Sequence, residues 1–177
     1  MTSAPEIVFP PVEVRTRKGR TLRVREYDFR DFGALVEMYK HFEPKRGAQG
    51  LPPPDVPRIA HWLDKLQRKS SALVALEGQK VVAHAILCPM SATCVEFSVF
   101  VHQDYRQDGL GTTISDMTLN WAQQMAMSQV FLTTELSNFA ALCLFRKLGF
   151  LMTSNYGDEC EMKLDLASLA GAESQAA

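Results

Sequence analysis

The sequence predicts an α+β domain in which a mixed, mostly antiparallel sheet is flanked by helices. Three observations carry this prediction. Several segments alternate apolar and polar residues as strands of hairpins do, and other segments have apolar residues at helical spacing. The third is the run from Val99 to Thr112, in which a strand passes through a glycine-containing turn directly into a helix. A chain of 177 residues with 46% apolar and 22% charged residues is typical of one globular domain.

The N-terminal part of the chain predicts a hairpin. Val12 and Val14 alternate before Lys18-Gly19, Leu22 and Val24 alternate after it, and the second strand continues to Tyr27. Six basic residues are concentrated in this hairpin. They form either its solvent-exposed face or a patch that binds an anionic ligand, and both interpretations stay open. They are Arg15, Arg17, Lys18, Arg20, Arg23 and Arg25.

Two helices are predicted next. The first spans residues 31–42 with Asp31 as its N-cap, and the second spans residues 57–68. The connection between them, from Glu43 to Pro57, contains prolines at 52–54 and 57, which exclude both a helix and a ladder strand. Its prolines predict a stiff segment.

The remaining chain predicts a series of strands broken by two helices. Strands are expected at 72–76, 80–87, 93–101, 129–134 and 159–166, with helices after Gly109 and from Asn138 to Leu148. Gly149 is placed to end the second of these helices. Residues 12–166 are therefore predicted to form a single domain, with loosely ordered ends at 1–11 and 167–177.

Composition excludes several classes of function. The net charge of −1 gives no general attraction to nucleic acid or to an anionic membrane, and the longest apolar run, residues 81–90, is too short to span a bilayer. The four cysteines and four histidines lack zinc-site spacing, so no metal is expected. Without a signal peptide, the expectation is a cytoplasmic protein with reduced thiols.

The turn Arg106-x-x-Gly109-x-Gly111 predicts an anion site. The free N–H groups of the turn and the helix dipole both favour a negative group at the start of the helix. Ile114 stands where a dinucleotide-binding fingerprint needs its third glycine, and a phosphate-binding loop of the Gly-Lys-Ser/Thr type is absent. The spacing alone leaves the anion undefined.

Together with Asn138-x-x-Ala141 and Gly149-Phe150, this turn resembles the two motifs of the GNAT superfamily of N-acetyltransferases, over residues 22–166. The strand from Val95 to His102 is also similar to the branch that acts on phosphinothricin and methionine sulfoximine. The resemblance implies central parallel strands that splay apart, acetyl-CoA as the acetyl donor, and transfer to an amine. A small-molecule or amino-acid-like amine is the expected acceptor, with a protein lysine or N-terminus as the alternative.

The resemblance also assigns the donor site. Val99 and Val101, with Phe100 between them, would pair with the pantetheine amides, a backbone N–H near Val99 would hold the oxyanion, and Asn138 would hydrogen-bond the donor. The pyrophosphate would rest on the turn formed by Arg106, Gln107, Asp108, Gly109, Leu110, Gly111 and Thr112.

A base must take the proton of the acceptor amine. Glu96 is a charged residue inside a β-rich segment and resembles the glutamate proposed as base in some family members. The alternative for Glu96 is a solvent-facing position at a sheet edge. His84 is a second candidate, although a histidine among small apolar residues is more typical of a hydrogen-bonded structural residue. His102 is expected to lie in the turn, and His41 and His61 on helix surfaces.

The sequence departs from the family at Phe145, where a tyrosine usually donates a proton to the CoA thiolate. Tyr156 or a water is expected to replace it, or the thiolate leaves unaided, because thiols have a pKa near ~8.5. The phenylalanine at position 145 also leaves open the alternative that this domain binds acyl-CoA with little turnover. The connection from Glu43 to Pro57 would lie over the acceptor cleft, and Lys45 and Arg46 add positive charge to it. No nucleic acid or membrane partner is expected, and a homodimer is left open.

Overall fold

The protein is described by a computed structural model that covers residues 7–44 and 52–167. Its strands form one eight-stranded sheet in the order β1-β2-β3-β4-β5-β6-β8-β7. The strands are β1 (Val12–Arg15), β2 (Thr21–Glu26), β3 (Ser71–Glu77), β4 (Lys80–Pro89), β5 (Cys94–Val101), β6 (Gln129–Glu135), β7 (Leu151–Tyr156) and β8 (Glu159–Asp165). The helices are α1 (Phe32–Lys40), α2 (Val56–Gln67), α3 (Leu110–Gln124) and α4 (Phe139–Lys147).

The sheet separates two apolar clusters. Side chains from α1 and α2 pack on one face, around residues such as Tyr39 and Ile59. Side chains from α3 and α4 pack on the other, around residues such as Ile114 and Phe145. The alternation of β4 and β5 divides each strand between the two clusters, as expected for strands covered on both faces. The predicted α+β class is therefore confirmed.

The predicted elements agree with the observed ones within a few residues, with two differences. A short 3₁₀ turn, Phe29–Asp31, precedes α1, and it is Asp28 whose side chain accepts a hydrogen bond from the Arg30 amide. Asp31 precedes α1 but makes no side-chain cap to it, because its carboxylate accepts from the Asp28 amide and the Arg25 guanidinium. The predicted N-cap position of Asp31 is thus confirmed, but its side chain does not cap the helix.

Strand β7 was not predicted. Five of its six side chains are exposed and Ser154 is half-buried, so the strand shows no apolar alternation in the sequence. It is recognised in the structure through its antiparallel pairing with β8.

The central strands diverge. All neighbouring strands are antiparallel except β5 and β6, whose parallel pairing covers only Cys94–Glu96 against Gln129–Phe131. Beyond Glu96, β5 stays paired with β4 on its other side, and β6 stays paired with β8. The splayed central strands that the family resemblance implies are therefore confirmed.

The chain ends contact the domain where they are described. Phe9 packs edge-on against Trp121 of α3, and the Trp121 indole N–H donates to the Ile7 carbonyl at 2.9 Å. No described helix has the length and apolar character needed to cross a membrane. Within the described ranges, no group of three or more His, Cys, Asp or Glu side chains is arranged to hold a metal ion.

His84 is a structural residue of the α1–α2 face. It is buried, its Nδ1 lies 2.8 Å from the Tyr39 hydroxyl, and the rings of Tyr27 and Tyr39 pack around it. Burial lowers the pKa of His84 to about 3, so the ring stays neutral in the folded protein at neutral pH. The structural interpretation of His84 fits this geometry, and a catalytic base does not.

The buried neutral His84 predicts a pH dependence of stability. Its pKa is lower in the folded state than in the unfolded chain, where it is near ~6.5, so the unfolded chain binds a proton first as the pH falls. Its contribution is complete above that value and is lost as the pH falls toward 3. At pH 5 the free energy of unfolding should be lower by about 2 kcal/mol from this residue, measured by urea denaturation.

Two variants separate this effect from the titration of carboxylates. His84→Gln should lose less stability between pH 7 and pH 5 than the parent does. His61→Gln, at an exposed position on α2, should show the parent's loss. If His84→Gln and the parent lose equal amounts, His84 is not buried in the neutral form.

Candidate active site

A cleft opens where β5 and β6 separate. Its volume is about 490 Å³, within the range of small-molecule sites. The end of β5, the turn after it, the end of β6 and the first two turns of α4 form its walls. Phe42 and Pro44, which follow α1, close one side.

The register of β4 and β5 shows which backbone groups face the cleft. The His102 amide donates to the Val82 carbonyl at 2.9 Å, so the even-numbered residues of β5 direct their backbone groups toward β4. The backbone groups of Val99 and Val101 therefore point to the open edge. The Val101 carbonyl accepts from Arg106 Nε at 2.8 Å, which leaves both groups of Val99 and the amide of Val101 toward the cleft. Phe100 directs its backbone to β4, and its side chain lines the cleft.

The turn that follows β5 presents a row of amides. Gln107 and Gly109 have positive φ values of 55° and 83°, and Gly109 is the N-cap of α3. Leu110, Gly111 and Thr112 form the first turn of this helix, where N–H groups have no intrahelical acceptor. Amides in alternating left- and right-handed conformations at a helix N-terminus suit an anion. Of the predicted residues, Arg106 differs, because its amide already donates to the Gln103 carbonyl at 3.3 Å.

The Arg106 side chain connects the two sides of the cleft. Besides its bond to Val101, it donates to the carbonyl of Glu43 and lies over the Phe42 ring, with its central carbon 5.0 Å from the ring centre. Burial lowers the pKa of this guanidinium from its ordinary value. The side chain therefore positions the segment after α1 against the end of β5.

Asp108 faces away from the cleft. Its side chain is buried, and Oδ1 accepts from the Lys18 amide at 2.6 Å, in the turn between β1 and β2. Burial acts to raise the pKa of Asp108, but hydrogen bonds from Thr16 and Lys18 outweigh it and hold the pKa below its ordinary value. Asp108 thus joins the β1–β2 turn to the start of α3 through its carboxylate.

Helix α4 forms the opposite wall. The side-chain oxygen of Asn138 accepts from the Ala141 amide at 3.2 Å, so it caps the helix, and the residue also lines the cleft. Phe145 lies at the cleft, where its ring packs against Phe97 and Phe150 and offers no hydroxyl. Tyr156 lies on β7, separated from β6 by β8, and is 73% exposed. The structure gives no support to Tyr156 as a replacement for the missing tyrosine.

Glu96 lies where the two central strands part. Val95 and Phe97 are buried among the side chains packed with α3 and α4, so Glu96, Ser98 and Phe100 point to the opposite face. Glu96 is exposed on that face, two positions from Ser98, which lines the cleft. Burial and the charge of Glu96 raise the pKa of the neighbouring Cys88 thiol.

The other predicted residues are placed as follows. His102 is buried, and its Nδ1 accepts from the Asp104 amide at 3.3 Å, so it is a turn residue, while His41 and His61 are exposed. Lys45 and Arg46 lie outside the described residues. The prediction missed three hydroxyl residues at the end of β6 and just after it, whose only signal in the sequence is their place at the end of a predicted strand. They are Thr133, Thr134 and Ser137.

The sequence profile of the acetyltransferase (GNAT) family matches residues 34–150, which include both sides of this cleft. The chain belongs to this family. No curated protein sequence matches the acetyltransferase significantly.

Solved structures share its fold. The GNAT domain of S. lividans PAT has a TM-score of 0.76 at 17% identity and covers 89% of this chain and 99% of its own. The ribosomal-protein-alanine N-acetyltransferase of Brucella melitensis has a TM-score of 0.66 at 22% identity, covering 80% and 98%. A phosphinothricin acetyltransferase of Sinorhizobium meliloti, solved with acetyl-CoA, has a TM-score of 0.67 at 17% identity, covering 80% and 86%.

The same substitution at two glycines of the turn in this acetyltransferase should have different effects on stability. Gly109→Ala places a side chain in the left-handed region and should lower the free energy of unfolding by about 1–2 kcal/mol. A Cβ at Gly111 would lie 3.7 Å from both Leu144 and Val101, which is ordinary contact. Gly111→Ala should therefore change stability by less than about 0.5 kcal/mol. Urea denaturation of the two variants tests the pair, and equal losses would contradict the backbone argument.

Proposed function

We propose that this GNAT protein transfers the acetyl group of acetyl-CoA to a primary amine of a small molecule or amino-acid-like acceptor. The cleft carries the proposal, because it joins an open strand edge to a row of amides at a helix N-terminus. An extended, amide-containing arm that ends in a pyrophosphate fits such a site. Val99 and Val101 would hydrogen-bond the arm, and the turn from Gln107 to Thr112 would hold the pyrophosphate. Asn138 lines the same cleft, and its side-chain NH2 would be a further donor.

The acceptor amine must reach the thioester as a free base. For an amine of pKa ~10.4, deprotonation at pH 7 costs about 4–5 kcal/mol, so a proton acceptor at the site lowers the barrier. Glu96 is exposed and lies at the last paired position of β5 and β6, two residues before Ser98 of the cleft wall. We assign it the role of general base, directly or through one water.

The thioester carbonyl gains negative charge when the amine attacks. The amide of Val99 is directed to the open edge of β5, so it is placed to stabilise that charge by a hydrogen bond. The carbon–sulfur bond then breaks, and CoA leaves as the thiolate. Phe145 cannot protonate this sulfur, and the low basicity of a thiolate makes departure without a proton feasible.

Two observations support a small acceptor. The rings of Phe42 and Phe100 pack edge-on with their centres 5.8 Å apart, and both residues line the cleft. Pro44 lines the cleft on the same side. A wall of this kind narrows the access on the α1–α2 face and suits a compact ligand better than a protein surface. Steady release of CoA thiol with a panel of amines and amino acids tests this choice. Release with a lysine-containing peptide alone would indicate a protein acceptor instead, and binding without release would indicate a donor-binding module.

Substitution of Gly111 tests the donor site. Gly111→Trp puts a large side chain against Leu144 and Val101 at the start of α3 and should abolish the thermal stabilisation by CoA. For the parent, CoA at about 100 times its Kd should add about 2.7 kcal/mol. Gly33→Trp is the matched control, because Gly33 is exposed on α1 with open space at its Cβ position. A Gly111→Trp variant that CoA stabilises as it does the parent would disprove the assignment.

Substitution of Glu96 tests the base. Glu96→Gln should lower kcat/KM by about 10²-fold or more, and most at low pH, where more of the amine is protonated. The KM for acetyl-CoA should change little. Glu13→Gln, at an exposed position on β1, removes the same charge and should leave the rate unchanged. Equal kcat/KM values for Glu96→Gln and the parent at low pH would remove Glu96 from the mechanism.

A further inference from the structure

The turn between β1 and β2 packs against the anion site. We call residues 16–20 the basic turn. Backbone bonds hold it there: the Arg17 amide donates to the Asp108 carbonyl at 3.1 Å and the Lys18 amide to the Asp108 carboxylate at 2.6 Å. Arg20 Nη1 donates to the Asp104 carbonyl at 3.1 Å, and its guanidinium lies over the Tyr105 ring. These contacts join residues about 90 positions apart in the chain.

The Arg17 side chain lies beside Gly109, at the start of α3. Its Nε is 3.3 Å, and its Cγ and Cδ are 3.5 and 3.6 Å, from the Cβ position of Gly109, which is the N-cap of α3. Arg17 is exposed, and among the described residues neither it nor Lys18 forms an ion pair. Arg25 and Arg30, by contrast, each have an aspartate partner.

A cation at this position is electrostatically unfavourable in the protein alone. The N-terminus of a helix carries partial positive charge, and cations are stabilising only at the opposite end. The nearby carboxylate of Asp108 is buried, its Oδ1 accepts from the Lys18 amide, and it forms no ion pair with Arg17 among the described residues. An exposed cation beside amides that have no acceptor in the helix is placed to meet an anion held by those amides.

We infer that Arg17 contacts a phosphate group of the nucleotide end of acetyl-CoA, so that the basic turn is part of the donor site. This inference rests on the proposed donor site. The amides of the loop hold phosphate by hydrogen bonds from the backbone, and Arg17 adds a charge-assisted bond from a part of the chain outside the family profile match. Asp108 is the positioning residue, since it fixes the basic turn without presenting its own charge to the ligand.

Calorimetric titration of the full chain with CoA and with dephospho-CoA, which lacks the 3′-phosphate, tests the inference. Arg17→Gln should raise the Kd for CoA about tenfold, as expected for loss of one charge-assisted hydrogen bond at an accessible site. Arg23→Gln is the matched control, because Arg23 is exposed on β2 of the same hairpin and has the same charge. Its effect should be less than about twofold.

The outcomes distinguish the two proposals. Weaker binding of CoA alone by Arg17→Gln assigns Arg17 to the 3′-phosphate, and weaker binding of both ligands assigns it to the pyrophosphate. An effect no larger than that of Arg23→Gln overturns the inference while the donor site stands. If the parent protein binds neither ligand, the proposed donor site itself is wrong.

A stability measurement excludes a merely structural role. Removal of a cation from a helix N-terminus should leave the melting temperature of the ligand-free protein unchanged or slightly higher, although CoA binds more weakly. Arg17→Lys keeps the charge and should recover part of the affinity. A ligand-free Arg17→Gln protein that melts at a clearly lower temperature, with CoA affinity reduced to the same degree in Arg17→Lys, would contradict the inference.

Discussion

The separation of β5 from β6 is the constraint on which the rest of this structure depends. Backbone N–H and C=O groups inside a protein need partners, and a sheet that opens at its centre leaves a row of them without one. Pairing ends at Glu96 and Phe131, and the rings of Phe97 and Phe145 occupy the space next to the opening. The anion-binding turn follows at the far end of the same strand. A ligand that enters the cleft therefore meets backbone donors and acceptors first and a positive helix end next.

The opening is stable because the elements around it are held from both sides. On one face, Tyr39 packs edge-on against Trp62 and Phe100 and at a tilt against Phe42, and its hydroxyl bonds to His84. Edge-to-face aromatic pairs contribute about 0.5–1.5 kcal/mol each beyond area burial. The cluster fixes Phe42 and Phe100, which line the cleft. This side of the cleft is thus built on the same buried cluster that stabilises α1 against the sheet.

Much of the fold could be predicted from the sequence, because the apolar residues of α3 and of β3 to β5 repeat with helical and strand periods. The order of the elements followed from the same patterns. Strand β7 could not be predicted, since its side chains face solvent on both sides and carry no period. The hydrogen bonds of Asp31 at the start of α1 could not be predicted, because Asp28 and Asp31 are both good capping residues and only the Arg25 contact separates their roles.

The site was less predictable than the fold. The predicted residues Val99, Gly111 and Asn138 lie at one cleft, as their motifs indicated. The sequence could not show that the Arg106 guanidinium binds backbone carbonyls and packs on an aromatic ring. Nor could it show that the Asp108 carboxylate binds the turn between β1 and β2, which is distant in the chain. Both depend on contacts between distant segments, which local patterns do not encode. The same holds for the basic residues of the hairpin, whose position beside Gly109 exists only in the folded chain.

The bond from Arg106 to the Val101 carbonyl gives the open edge of β5 a defined length. At one end, backbone pairing with β6 continues as far as Glu96. At the other end, the Arg106 guanidinium donates a hydrogen bond to the carbonyl of Val101, the last residue of the strand. The unpaired edge between these two points runs from Phe97 to Val101, which is four residue steps or about 13 Å. If the phosphate end of a bound donor is fixed at the turn after β5, the length of its amide-containing arm decides where its other end lies along this edge. The reactive carbon of a longer or shorter arm would fall away from the junction at which Glu96 stands.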